Sequence, residues 1–435
     1  MKTRVRAIAA VAALSLPAAL PAAEPPWRQD PLYREIASRL DGVSAIDVHT
    51  HLLEPPAFDP SLDPLMPLGL RSTNPRYSAA LTEAFGMPVG AGGLAAAAER
   101  AAALRAERLA RLGPSAYWHA QLDDAGVETA LVNQDFSQGT DAARLRWVPN
   151  AGSLLYPLPA DQLMARSPSH GTEIPKMQAA LRRFLGDGGL PAPPPDLDAY
   201  LRFLDQTLAR WREQGAVAIK FQDAYLRTLV FDDVPAERAR ALYAQGLRQP
   251  LPRADYLALQ DHLARHLFLA AGGRRLPVHI HSSHGVPPFL RLQDADVRNL
   301  ESVLTDPGLF GTQFVLIHGG APLHEEAAYL GIKPHVWIDV SAMPFLYPVP
   351  ELAAVLRKYL IFAPEKVLFG TDSGPYPGVP GGPEVQLRAL ATATREALYL
   401  ALAGLVRDGV VDLETAAGLG RGVLRGNAAR LHGWE

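Results

Sequence analysis

The chain of 435 residues contains no cysteine. That excludes disulfides, a thiolate nucleophile and cysteine-ligated zinc, leaving His, Asp, Glu and a carboxylated Lys as possible metal ligands. An excess of one charge is also missing. Forty-two basic and 45 acidic residues leave a formal net charge of −3 with no basic stripe, so nucleic acid is not an expected partner. No internal repeat is present. No glycine-rich phosphate turn follows the first strand-like run, where His-Thr-His-Leu-Leu stands instead. Past the N-terminus, no segment reads as apolar and long enough to span a bilayer. What is abundant is apolar character. At 48% of residues, it can bury a large core, as one α/β barrel or two ordinary domains.

The N-terminus has the make-up of a secretory signal. Lys2, Arg4 and Arg6 form a positive region, Ala7 to Leu20 is apolar but broken by Pro17, and Ala22-Ala23 suit a signal peptidase. Residues 1–23 are therefore expected to be removed, the mature chain to start near Glu24, and the protein to be periplasmic or secreted by a bacterium. No integral membrane segment would then remain. The mature part, 24–435, reads as one domain.

Strand-like runs recur along the chain: 45–48, 129–133, 145–148, 217–220, 277–281, 313–318, 336–340 and 366–371. Segments of helical composition lie between most of them. Eight strands alternating with helices predict an α/β protein, a (β/α)8 TIM barrel. Residues 54–118, with a strong helix over 94–112, form a helical insertion after the first strand, expected to act as a lid or pocket wall.

Several of these runs end in residues that bind metal or carry charge. His49 and His51, two apart on a strand, point the same way and can place both imidazoles on one ion. His281 and Asp372 end the fifth and eighth runs, giving three imidazoles and one carboxylate as candidate metal ligands. Such a donor set suits a divalent metal that lowers the pKa of water, with zinc the default for an N/O site and one ion or two left open. His318 ends the sixth run, where an imidazole moves a proton or stabilises charge. His279 sits one layer deeper than His281 and reads as a core residue, and His284 as a loop residue at the rim. Lys220 is ambiguous: a carbamate bridging two metals, an ammonium for substrate, or a partner of Asp223. Tyr225 and Arg227 follow it as candidate substrate-binding residues, Arg227 as a clamp for a carboxylate.

The segments IDVHTHL (46–52), LPVHIHSSHG (276–285), FVLIHGGAP (314–322), VWIDVSA (336–342) and VLFGTDSG (367–374) together resemble the amidohydrolase superfamily of metal-dependent barrel enzymes. The likeness is to its amidohydrolase-related branch, which includes decarboxylases similar to aminocarboxymuconate-semialdehyde decarboxylase. AIKFQDAYLRTL (218–229) and HEEAAYLG (324–331) are similar to the amidohydrolase-like region fused to glutamine-synthetase-like proteins. The resemblance spans about residues 43 to 430 and leaves the insertion outside it. It implies metal ligation by His49, His51, His281 and Asp372, a catalytic or second-metal role for His318, and proton transfer by Asp372. Lys220 together with His318 also fits the binuclear pattern. The leading expectation is a metal-dependent hydrolase acting on a carbonyl or amidine carbon of a small molecule. Two alternatives stand beside it: a non-oxidative decarboxylase on the same site, and a periplasmic metal-binding protein without catalysis. The oligomeric state stays open, a homo-oligomer being allowed.

Overall fold

A computed structural model describes residues 24–54, 59–86, 93–164, 168–285, 290–376, 378–379 and 381–434. The predicted export signal lies outside these residues. Among the described residues eight parallel strands are present: β1 Ala45–Thr50, β2 Val127–Asn133, β3 Leu145–Val148, β4 Ile219–Phe221, β5 Val278–His281, β6 Phe314–Ile317, β7 Val336–Asp339 and β8 Val367–Leu368. They pair in sequence order as a ladder β1-β2-β3 and a ladder β4-β5-β6-β7-β8. Backbone hydrogen bonds join the two at both seams. Val217 N donates to Trp147 O at 3.0 Å and Lys220 N to Pro149 O at 2.8 Å. At the other seam Val48 N donates to Phe369 O at 3.0 Å and Asp372 N to His49 O at 2.8 Å. The strands thus run in one cyclic order, the topology of a (β/α)8 barrel.

The pleat divides the side chains between two layers. On β4 to β7, Ile219, Phe221, Val278, Ile280, Phe314, Leu316, Val336 and Ile338 join the large core shared with the helices. Val315, Ile317, Trp337 and Leu368 have the opposite parity and join Ile46, Val48 and Leu131 in an inner cluster. Ala428, Ala429, Leu431 and Trp434 pack into that inner cluster too, so the C-terminal turn closes one end of the barrel.

Helices follow most strands, for example Leu197–Glu213, Arg253–Gly273 and Val349–Phe362. The connection from β2 to β3 has none. There the Asp141 carboxylate accepts from the backbone N–H of Ala143, Arg144 and Leu145, satisfying a short loop without a helix. The helix Gly382–Arg407 is apolar and long enough to cross a membrane, contrary to the reading of the sequence; 72% of its most apolar window is buried inside the fold. Among the described residues the insertion holds three α-helices, Pro75–Phe85, Gly93–Leu112 and Pro114–Asp124, the last running past its end, and two short 3-10 turns. It builds a small core of its own from Tyr77, Leu81, Phe85 and Ala101, closed against Phe345, Val385 and Leu390.

Candidate metal centre

The C-terminal strand ends meet in a cavity of about 540 Å³, lined by His49, His51, Lys220, Tyr225, His281, His318, Asp372 and Tyr376 among others. Two of these residues occupy the left-handed backbone region, His318 at φ 68° and Asp372 at φ 60°. For non-glycine residues that conformation costs about 1–3 kcal/mol each. Neighbouring bonds hold it in place: His318 N donates to Asp339 Oδ1 at 2.7 Å and Asp372 N to His49 O at 2.8 Å.

His49, His51 and Asp372 form one group whose ligand atoms all lie within 4.8 Å of one another. Asp372 Oδ1 is 3.2 Å from His49 Nε2 and 3.6 Å from His51 Nε2. The partners of these nitrogens fix where their protons sit. His51 Nδ1 donates to Glu54 Oε1 at 2.8 Å, which in the neutral ring leaves Nε2 as the lone pair. Lys220 Nζ donates to His49 Nε2 at 3.2 Å, so that nitrogen is an acceptor as well. Three acceptor atoms therefore face one another in a buried space. That arrangement is unfavourable by itself and is relieved by a cation, so the donor set fits a divalent metal.

His281 and His318 form a second group across the cavity, with ring centroids 4.5 Å apart. Their proton order follows from a chain of bonds. Ser341 Oγ donates to Asp339 Oδ1 at 2.7 Å and accepts from His318 Nδ1 at 3.0 Å. His318 Nε2 then accepts from His281 Nδ1 at 3.1 Å. His281 Nε2 is left deprotonated and buried, with no hydrogen-bond partner. It lies outside the 4.8 Å group of His49, His51 and Asp372, so the four expected ligands are brought to one cavity but not into one cluster. A similar network stands behind the first group, where Thr371 Oγ1 and N donate to Asp47 at 2.6 and 3.0 Å.

Burial sets most of the charges. It holds the imidazoles of His49, His281 and His318 well below the usual histidine range, so they are neutral donors. His51 is also pushed down by burial, but the hydrogen bond and charge of Glu54 outweigh this and raise it overall. For Asp372 burial works upward, while His318, His51, the Tyr376 hydrogen bond and Lys220 bring the carboxyl below its ordinary value. Burial lowers the Lys220 ammonium to about 7.

The remaining expected residues divide. Tyr225 lines the cavity and its ring packs on His281, centroids 4.7 Å apart. His279 is fully buried beneath the cavity, paired in register with Lys220. His284 is partly exposed, its ring 6.1 Å from that of His318. Arg227 corrects the reading of the sequence as a substrate clamp. Its side chain is 1% exposed, does not line the cavity, and is bound to Asp261, Gln260 and the Val230 carbonyl. The reason is geometric: Tyr225 and Leu226 still line the cavity, but the Arg227 side chain points to the helix Arg253–Gly273, which carries Gln260 and Asp261. Among the described residues Lys220 and Asp223 form no ion pair; Asp223 accepts instead from the Tyr156 hydroxyl at 3.5 Å.

Sequence reasoning missed four participants. Glu54 lies in an irregular loop. Tyr376, whose hydroxyl donates to Asp372 Oδ2, lies in the loop after β8. Asp339 and Ser341 sit within the quoted segment VWIDVSA, and an Asp-x-Ser at a strand end is the signal that would have pointed to them.

The sequence profile of the Amidohydrolase family matches residues 177–434. No curated protein gives a significant match. Among solved structures, a protein described as a metal-dependent hydrolase from Lactobacillus casei ATCC 334 aligns with TM-score 0.61 at 15% identity, covering 92% of this chain and 97% of that one. Glucuronate isomerase from Caulobacter crescentus aligns with TM-score 0.58 at 13% identity over 95% of both chains. A uronate isomerase from Bacillus halodurans C-125 aligns with TM-score 0.61 at 13% identity, over 92% of this chain and 96% of that one.

Proposed function

The chain belongs to the amidohydrolase family, and from that premise we propose that it is an exported, metal-dependent hydrolase of a small molecule, cleaving a C–N, ester or lactone bond at a carbonyl or amidine carbon. The observation that carries this reading is the convergence of three acceptor atoms, from His49, His51 and Asp372, in a buried cavity large enough for a substrate. His49, His51 and Asp372 would hold the metal, with zinc the natural choice for such donors and His281 the fourth candidate. A divalent ion there supplies Lewis-acid activation of water and of the substrate carbonyl.

The chain's own groups do the rest. Asp372 is ionised and buried beside the reacting space, so it can take a proton and pass it to a leaving group. Tyr376 holds the outer oxygen of that carboxylate. His318 orients His281 through their shared hydrogen bond, and when that bond is exchanged its Nε2 can accept a proton from a hydroxyl of water or substrate. Decarboxylation loses its expected carboxylate clamp, because Arg227 is committed to Asp261.

The test is metal content after loading with zinc, for wild type, His49→Ala and Asp372→Ala, followed by parallel screens for hydrolysis and decarboxylation. Stoichiometric metal lost in both variants, with hydrolysis in wild type, supports the reading. No stoichiometric metal in wild type removes it.

A further inference from the structure

The cavity over the metal centre does not stand alone. A second space of about 680 Å³ adjoins it. The two share His51, Glu54, Glu173, Lys176, Met177 and Gln222 as lining, so they are two lobes of one cleft. Leu109, Pro114 and Trp118 of the insertion wall the distal lobe, together with Phe136 from the loop after β2. The insertion thus builds a subsite that the barrel alone would not have.

The polar lining of the distal lobe determines what it can bind. Four of its five side-chain amides, all but that of Gln138, are already hydrogen-bonded. Asn150 accepts from Gly152 N at 3.2 Å and donates to Gln222 at 3.3 Å. Gln222 in turn donates to Asn133 at 2.9 Å, and Asn133 to the Val148 carbonyl at 3.1 Å. Gln134 spends its amide nitrogen on the carbonyls of Phe136 and Gln138. This is a self-satisfied floor, poorly suited to reading the hydroxyls of a sugar.

The charges are not self-satisfied. Glu54, Asp135 and Glu173 stand against the single lysine Lys176, which is bound to Glu173 at 2.7 Å. Glu54 is taken by His51. Asp135 is partly buried and makes no hydrogen bond or ion pair among the described residues. Arg183 is near enough to act on it electrostatically, but its guanidinium lies over the Phe136 ring, 3.5 Å from the centroid. Burial and the charge of Glu54 both push the Asp135 carboxyl up, a penalty that a bound cation would remove.

Resting on the hydrolase reading, we infer that the substrate is elongated and cationic. Its reacting bond lies over His49, His51 and Asp372, and an ammonium or guanidinium on an apolar stem sits in the distal lobe against Asp135. The same lobe disfavours anions, uronates included.

Binding to the full-length protein without metal tests this independently of catalysis. Calorimetric titration with 3-phenylpropylammonium, 3-phenylpropionate and 3-phenylpropanol compares charge at nearly constant shape, and glucuronate adds a sugar acid. The ammonium is expected to bind best, with Asp135→Asn weakening it by about tenfold or more and Asp135→Glu restoring it. Thermal unfolding of each variant confirms folding, and the ranking of the four probes on wild type needs no variant at all. Equal binding of the four probes, preference for either anion, no binding of any, or an Asp135→Asn variant with wild-type affinity would each overturn the inference. A hydrolysis screen that fails while the ammonium still binds would count against the hydrolase reading and leave the subsite standing.

Discussion

Ser341 makes the most exposing test of the metal centre, because it bonds none of His49, His51, His281 and Asp372. Its hydroxyl donates to Asp339 and accepts from His318, and that polarity leaves His281 Nε2 free. Ser341→Ala removes both bonds at a site where Ser341 and Asp339 are 0% exposed and His318 is 2% exposed. The His318 Nδ1–H then has only the Ser341 carbonyl, at 3.4 Å, a weak substitute. An unsatisfied buried donor costs about 1–3 kcal/mol, and the lost bond to Asp339 about 0.5–1.5 kcal/mol. The metal-free variant should therefore be about 2–4 kcal/mol less stable in chemical denaturation. Without the hydroxyl, His318 can move its proton to Nε2 and donate to His281, which places the His281 proton on Nε2 and removes a metal donor. Zinc affinity, read by competition with a chromophoric chelator, should fall about 10–100-fold, as for other residues that orient metal ligands. Ser341→Thr keeps the hydroxyl and should restore most of it. Imidazole 15N shifts give the tautomers directly. A wild-type His281 protonated at Nε2, or a Ser341→Ala variant with unchanged zinc affinity, would refute the reasoning.

Two further outcomes concern parts of the molecule away from the ligands. Arg227→Met should leave zinc affinity unchanged while lowering stability by about 3–5 kcal/mol, because Asp261 would stay buried without its partner; urea unfolding with and without zinc separates the two effects. His432 is held by burial at about 4, against an ordinary 6.5, and its Nε2 has no partner. Between those values the unfolded chain binds a proton that the folded chain refuses, so stability is lost as pH falls from about 6.5 to about 4. His432→Phe should show a smaller drop in Tm over that window than wild type, and an equal drop would remove His432 from the account.

The barrel was legible because most strands are short apolar runs ended by a polar residue, and the eight predicted runs overlap the eight observed strands. Differences gather where side chains override the pleat. β1 continues through His49 to Thr50, because Asp47 ties the strand to Thr371 across the seam. β8 stops at Leu368, since Gly370 packs against Asp339 and Asp372 turns into the left-handed region. In the insertion, the helix Pro75–Phe85 was not foreseen, although Asn74 caps it and Pro75 opens it. The site was legible only as far as its donors. Which nitrogen carries a proton depends on Glu54, Ser341 and Asp339, and nothing local in sequence links Ser341 to His281. Arg227 looked like a clamp for the same reason: Asp261, which buries it, lies on the helix Arg253–Gly273.

The seam between the first and last strands has a consequence for how this protein comes into being. Asp47 and Thr371, bonded across it, are 324 positions apart, and the bonds beside them run through His49 and Asp372. Closing a loop of that length costs about 5 kcal/mol of chain entropy beyond its fixed term. A nascent chain that has not yet reached residue 372 cannot hold the donor group, because His49 and His51 are made early and Asp372 late. An ion bound there would clamp the first strand to the last and so reward completion of the circle. The same ion would act as a late-folding latch and leave incomplete barrels without a centre that could react.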